Sequence, residues 1–196
     1  MALPTLTTER LLLRQRSLAD VPAILRMDTD PEVRRYVGDG RLPDPIEQER
    51  RVRERVGTDF GIGFGYWSVF PRERPNDYLG YVVFSPLPES AEIELSYAFR
   101  RDAWGRGHAT EAARAGLDYA FRERGLPEIV ALIYPANLAS QRVIAKLGFE
   151  PAGMRHSYGK DLLLYRLLRE AYLTRAADPA DPRGRAGGTG GSTGRR

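Results

Sequence analysis

Trp104-Gly105-Arg106-Gly107-His108-Ala109-Thr110-Glu111-Ala112 is the stretch on which the reading of this chain turns. It joins an apolar, alternating segment to a segment with helical spacing, and it makes the join through two glycines. Glycine adopts positive φ without strain and lets backbone approach a ligand closely. The first turn of a helix presents unpaired N–H groups and the positive end of the helix dipole, which together favour a phosphate. Arg106 adds a charge-assisted contact. A strand-to-helix turn also uses glycine for steric reasons alone, so the stretch needs support from its surroundings. It is not a Walker loop, because no Gly-Lys-Ser/Thr follows. It is not a dinucleotide fingerprint, because Thr110 stands where a third glycine would be.

On the upstream side, residues 91–99 alternate: Ile93, Leu95, Tyr97 and Phe99 share one face of a strand, and Glu92, Glu94, Ser96 and Ala98 share the other. On the downstream side, Ala109, Ala112, Ala113, Gly116, Leu117, Ala120 and Phe121 recur at helical spacing, predicting a helix over 109–124. Residues 129–134 form an apolar strand closed by Pro135. Asn137 caps a helix over 138–147 that stops at Gly148. Further out, 66–70 and 78–84 read as a hairpin across a turn-rich link. Residues 11–13 read as a first strand. Pro22 and Pro31 mark two short helix starts, and 46–56 is an exposed helix rich in Glu and Arg. Residues 162–168 read as a last strand, with a helix through Tyr172 as the alternative. The glycines Gly61, Gly63 and Gly65 precede a strand and read as a flexible connection. This mixed order predicts an α/β or α+β sheet flanked by helices.

The chain has 196 residues, 42% of them hydrophobic, which suits one ordinary domain. Five arginines against two aspartates from Arg175 onward carry three of the four excess positive charges. That segment also holds six glycines and no aromatic residue. Residues 1–173 are therefore expected to form the domain and 174–196 a flexible tail, with no specific nucleic-acid role. The absence of cysteine excludes disulfides, zinc–thiolate sites and a cysteine nucleophile, and only His108 and His156 are histidines, so no metal site is expected. No apolar segment resembles a signal peptide or a membrane span, and the expected location is cytoplasmic.

Taken in order, these segments resemble the GNAT superfamily of N-acetyltransferases, and within it the Rim branch of ribosomal-protein N-terminal acetyltransferases and their small-molecule relatives. The likeness runs through Leu6-Thr7-Thr8-Glu9-Arg10-Leu11-Leu12-Leu13-Arg14, Asp20, Asp30-Pro31-Glu32-Val33 and Glu94-Leu95-Ser96-Tyr97. It is strongest over 104–112, and continues in Asn137-Leu138-Ala139-Ser140 and Lys146-Leu147-Gly148-Phe149. It covers the body and leaves out the tail. The resemblance implies a mostly antiparallel sheet with helices on both faces, in which strands 91–99 and 129–134 splay to admit acetyl-CoA as acetyl donor, with no metal. It implies that Gly105, Arg106, Gly107, His108, Ala109 and Thr110 hold the pyrophosphate, that Tyr97 and Phe99 contact the cofactor, that Asn137 bonds the pantetheine arm or positions the loop, and that Ser140 lies near the sulfur. The acceptor would be a small-molecule amine or a peptide N-terminus, and the resemblance leaves room for a homodimer. Three places depart from the family. Asp102 stands where the loop usually begins with Gln or Arg and is expected to face solvent. Ser96 replaces a common glycine and narrows the acceptor site. The usual tyrosine acid has no match at Val143 or Ile144.

Attack on a thioester needs a neutral amine, and amines have pKa values of about 8 to 10. A carboxylate working through water is the natural base, and Glu94, with Glu92 as alternative, lies on the right strand. A solvated strand face is the plain alternative for both. Backbone N–H groups around residues 97–99 are placed to stabilise developing oxyanion charge. The thiolate, with a pKa of about 8.5, needs little help in leaving. Ser140 is the candidate donor to it or else a helix-cap residue, and Tyr134 is a second candidate or else a packing residue.

Overall fold

The computed structural model describes residues 2–177 apart from Asp39, Arg41, Pro43, Asp59, Gly61 and Ile62. Eight strands form one sheet in the order β1-β2-β3-β4-β5-β6-β8-β7. They are β1 (Leu6–Thr7), β2 (Leu11–Gln15), β3 (Tyr66–Pro71), β4 (Gly80–Pro86), β5 (Ile93–Phe99), β6 (Glu128–Ile133), β7 (Glu150–Ser157) and β8 (Lys160–Leu168). Six α-helices accompany them: α1 (Val21–Asp28), α2 (Pro31–Arg34), α3 (Pro45–Glu54), α4 (His108–Asp118), α5 (Leu138–Leu147) and α6 (Arg169–Ala177). Every neighbouring pair of strands is antiparallel except β5 and β6, which are parallel and joined by the α4 crossover.

The alternation read in the sequence sorts the side chains onto two faces. Leu11, Leu13, Trp67, Val69, Val82, Phe84, Leu95 and Phe99 pack under α4, α5 and α6 as the main core. The opposite face is covered by α1, α2 and α3 over a smaller core that includes Phe70, Tyr78 and Ala98. Helix α4 lies so close to the sheet that a Cβ on Gly116 would collide with the Phe84 ring, which explains a glycine inside that helix against its poor propensity. The expected helix over 109–124 ends its α-helical course at Asp118 and closes with a π-helical turn over Tyr119–Glu123.

Three elements differ from the sequence reading: β1, which pairs with β2 ahead of the strand read as the first, β7 and α6. Strand β7 carries no apolar alternation, is mostly exposed, and contains Pro151 with a bulge between Pro151 and Met154. It forms because the Tyr158-Gly159 turn folds it back on β8, and the proline and bulge blunt it as a sheet edge. Residues 162–168 are strand, as read, but a helix follows directly: α6 is anchored by the buried Tyr172, whose ring lies 5.1 Å from that of Phe121. Helix α6 runs past the expected domain boundary at 173, while 178–196 of the expected tail, like Gly61, lie outside the described residues. No helix among the described residues is long and apolar enough to cross a membrane.

Candidate functional site

The glycine loop has the backbone its sequence demands. Gly105 and Gly107 sit at φ of 72° and 80°, in the left-handed region that glycine alone enters freely. Gly107 is the N-cap of α4 and supplies no side-chain cap, so the first amides of that helix are left to a ligand or to solvent. A Cβ at Gly105 would meet nothing within 4 Å, so the loop is open there. These features fit a pyrophosphate cradle.

A carboxylate clamp holds the cradle. Glu111, in the first turn of α4, accepts hydrogen bonds from the Thr8 hydroxyl at 2.6 Å, the Arg10 backbone N–H at 3.0 Å and the Arg10 Nε at 2.7 Å. Arg10 also donates to the Arg106 carbonyl at 3.1 Å. This one clamp gives a physical reason for Thr8, Arg10 and Glu111 together: they tie the start of the chain to the loop. Burial works to raise the Glu111 pKa, but the bonds from Thr8 and Arg10 outweigh it and hold the carboxyl below its usual range. A group depressed in the folded state stabilises above its unfolded pKa, and the gain is lost as pH falls through the folded one. Glu111→Gln is therefore expected to cost about 2 kcal/mol at pH 7, within the range for a charged hydrogen bond. Urea unfolding should show the gap from wild type closing below pH 4. A constant gap down to pH 3 would remove the clamp from the account.

Two residues of the loop would serve the cradle through their backbone. Burial and the neighbouring Arg10 push the His108 pKa down, so its ring is neutral at pH 7 and adds no positive charge. Ala109 packs against the core beside the cradle and can offer only backbone. Asp102 faces solvent as expected, with a side chain 69% exposed and paired to Arg100 at 3.1 Å. Arg106 is exposed and Thr110 half-buried on the same turn.

The two parallel strands touch at a single register point, Glu94 opposite Val130, whereas β4 and β5 pair over seven positions. Beyond that point β5 continues through Phe99 with no register partner on β6, giving the wedge expected between these strands. Glu94 stands at its apex. It is only 4% exposed, so the solvated-face alternative is overturned for it. Its carboxylate accepts a hydrogen bond from the Tyr158 hydroxyl at 2.6 Å and is also bonded by Ser96 and by the Leu132 backbone. Burial raises its pKa above the ordinary carboxylate range, and these bonds only partly offset the rise. Glu92 is removed from consideration as a base: it is spent on ion pairs with Arg155 and Arg166, the latter at 3.2 Å, and its pKa is held down by the Arg155 bond.

Across the wedge, Asn137 caps α5 by accepting the Ser140 N–H at 3.1 Å, which makes its capping role real. Ser140 is half-buried, and its carbonyl accepts the Tyr97 hydroxyl at 3.4 Å, tying β5 to α5. The Phe99 carbonyl is taken by the Trp104 indole at 2.8 Å. Tyr134, just past β6, donates to the Gly38 carbonyl at 2.7 Å and accepts from the Lys160 ammonium, while Tyr36 donates to the Ala136 carbonyl at 3.2 Å. The segment after α2 is thereby latched over the β6–α5 junction. Tyr36, Tyr158 and Lys160 were not found from sequence. For Tyr158 the Tyr-Gly turn between strands is a legible sign: it is the one non-glycine residue at positive φ, 54°, among the described residues, and such strain gathers at functional positions.

Known proteins share this sequence pattern and fold. A family model described as an acetyltransferase (GNAT) domain matches residues 10–150. YkkB of Bacillus subtilis is 32% identical over 174 residues, covering 85% of this chain and 96% of that protein. A solved GNAT-family acetyltransferase from Bacillus anthracis superposes with a TM-score of 0.73 at 26% identity, over 85% of this chain and 99% of that one. A RimL ribosomal L7/L12 α-N-protein acetyltransferase, solved with coenzyme A, shares the fold at a TM-score of 0.70 and 17% identity, over 86% of this chain and 99% of that one. The wedge between parallel strands, the glycine cradle at a helix start and a matched stretch that spans both lead to one statement: this chain belongs to the GNAT family of N-acetyltransferases.

Proposed function

We propose that this protein transfers an acetyl group from acetyl-CoA to a primary amine, of a small molecule or a peptide N-terminus, by direct attack within a ternary complex. The observation that carries the reading is Glu94, a buried carboxylate of raised pKa placed where β5 and β6 part. The amides of residues 105–110 and the α4 dipole bind the pyrophosphate, with Arg106 beside them. Asn137 and the start of α5 border the pantetheine arm. Glu94 takes the amine proton through water, a task for which a raised pKa suits a base working near neutrality. Backbone N–H groups around Tyr97 to Phe99 face the developing oxyanion. Ser140 donates to the departing sulfur, since the Tyr134 hydroxyl proton is given to the Gly38 carbonyl.

Thiol release from acetyl-CoA, measured against a panel of amines and N-terminal peptides, tests this. Acceptor-dependent release with intersecting double-reciprocal lines is expected. Parallel lines would replace direct transfer by an acyl-enzyme route, and tight binding without turnover on any acceptor would make the protein an acyl-CoA sensor.

A further inference from the structure

We infer that Arg16 is an anion-recognition residue of the acceptor site, and that the acceptor amine carries a carboxylate. This rests on the acetyl-transfer reading above and names its substrate class. Arg16 follows β2, and its backbone N–H extends the β2–β3 ladder by bonding the Tyr66 carbonyl at 2.9 Å. Its side chain is 5% exposed. The guanidinium lies 4.1 Å from the Tyr66 ring centroid and 4.8 Å from that of Tyr81. The two ring centroids lie 6.0 Å apart, so both tyrosines pack on one side of the guanidinium. Nε and Nη2 are buried without any hydrogen-bond partner, and no carboxylate of the described residues forms an ion pair with it.

A buried charged donor left unpaired is expensive, and folded chains rarely keep one without a reason. The residue two positions earlier shows what this chain does when an arginine serves the fold. Arg14 is bonded by both forks to Asp20, at 2.9 and 2.6 Å. The carboxylate whose charge reaches Arg16, Asp28, gives its hydrogen bond to Gln48 instead. A carboxylate that displaced the packing around Nε and Nη2 would satisfy both donors bidentately.

Register joins this fork to the catalytic end. Tyr66 stands opposite Val83, and Val83 opposite Ser96, two residues from Glu94 on the same face. With strands about 4.8 Å apart and residues about 3.4 Å along them, the fork lies on the order of 10 Å from Glu94. The acceptor then has an amine at one end and a carboxylate several bonds away, as in an ω-amino acid or a peptide with an acidic residue near its N-terminus. A polyamine would place a second cation against Arg16 and be rejected.

The test uses the full chain and matched acceptors: 6-aminohexanoate against 6-aminohexanamide, and Ser-Glu against Ser-Gln N-terminal peptides, which separate a small-molecule source from a peptide one. Wild type is expected to favour one carboxylate partner by about 10- to 100-fold in kcat/KM, the scale of a charge-assisted bond. Arg16→Gln should bring that ratio near one and Arg16→Lys should keep part of it. Adipate is the probe that needs no turnover: it should raise the Tm of wild type and not of Arg16→Gln. No carboxylate preference in wild type, or a preference that survives Arg16→Gln, would make Arg16 a brace for the two tyrosines. Adipate protection of wild type alone, with no thiol release on any amine, would keep the anion site and sink the transferase reading.

Discussion

Gly107→Trp is expected to weaken acetyl-CoA binding by at least roughly 100-fold, or about 2.7 kcal/mol. Gly107 sits at φ of 80° as the N-cap of α4, and a Cβ there would already stand 3.4 Å from Arg10 Nη2. A side chain meets two penalties. The left-handed backbone costs an L-residue about 1–2 kcal/mol, and the side chain fills space that the amides of the first turn need for a phosphate. The two are separable. Gly125 has a comparable φ of 65°, with nothing within 4 Å of a Cβ, and lies at the other end of the crossover. Gly107→Ala and Gly125→Ala should therefore lose similar stability, while only the change at 107 weakens binding in calorimetry. Equal binding by both would mean that the loop is glycine-rich for steric reasons alone.

Glu94→Gln is expected to lower kcat by about 10²- to 10³-fold, the usual worth of a positioned proton acceptor. It should also raise Tm, and the sign follows from burial. The folded pKa of Glu94 lies above its unfolded value, so its contribution favours the fold below the ordinary carboxylate range and is lost as pH rises through the folded pKa. Where Glu94 is ionised, its burial is a cost that glutamine removes. In wild type, kcat/KM should climb with pH as Glu94 ionises, and Glu94→Gln should flatten that limb. Tyr158→Phe deletes a donor to the ionised carboxylate. It should raise the Glu94 pKa further and move the limb to higher pH with the base still present. A variant at 94 that loses stability and keeps its rate would return Glu94 to a structural role.

Much of this fold was legible because its core strands alternate cleanly. Ile93, Leu95 and Phe99 entered the main core while Ala98 went to the other face, as the period of two requires. Strand β7 was illegible for the converse reason: eight residues with Pro151 and Gly153 among them carry no buried stripe, and tertiary pairing with β8 alone makes them a strand. The left-handed backbone of the loop could be read from Gly105 and Gly107 because positive φ leaves a mark on sequence. The Glu111 clamp could not, since its partners lie about a hundred positions away. Glu94 was named, but whether it faced solvent depended on the Tyr158 turn, 64 residues later, closing over it. Arg16 gave no sign at all in a chain with 30 basic residues. Only its burial against the Tyr66 and Tyr81 rings sets it apart.

The most direct measurement is a crystal structure of the full chain with coenzyme A. The pyrophosphate should rest on the backbone amides of residues 105–110, with the pantetheine arm running between β5 and β6 and the sulfur near Glu94, Ser140 and Tyr134. Coenzyme A bound elsewhere, with β5 and β6 closed and the amides of the α4 first turn unengaged, would contradict the site described here.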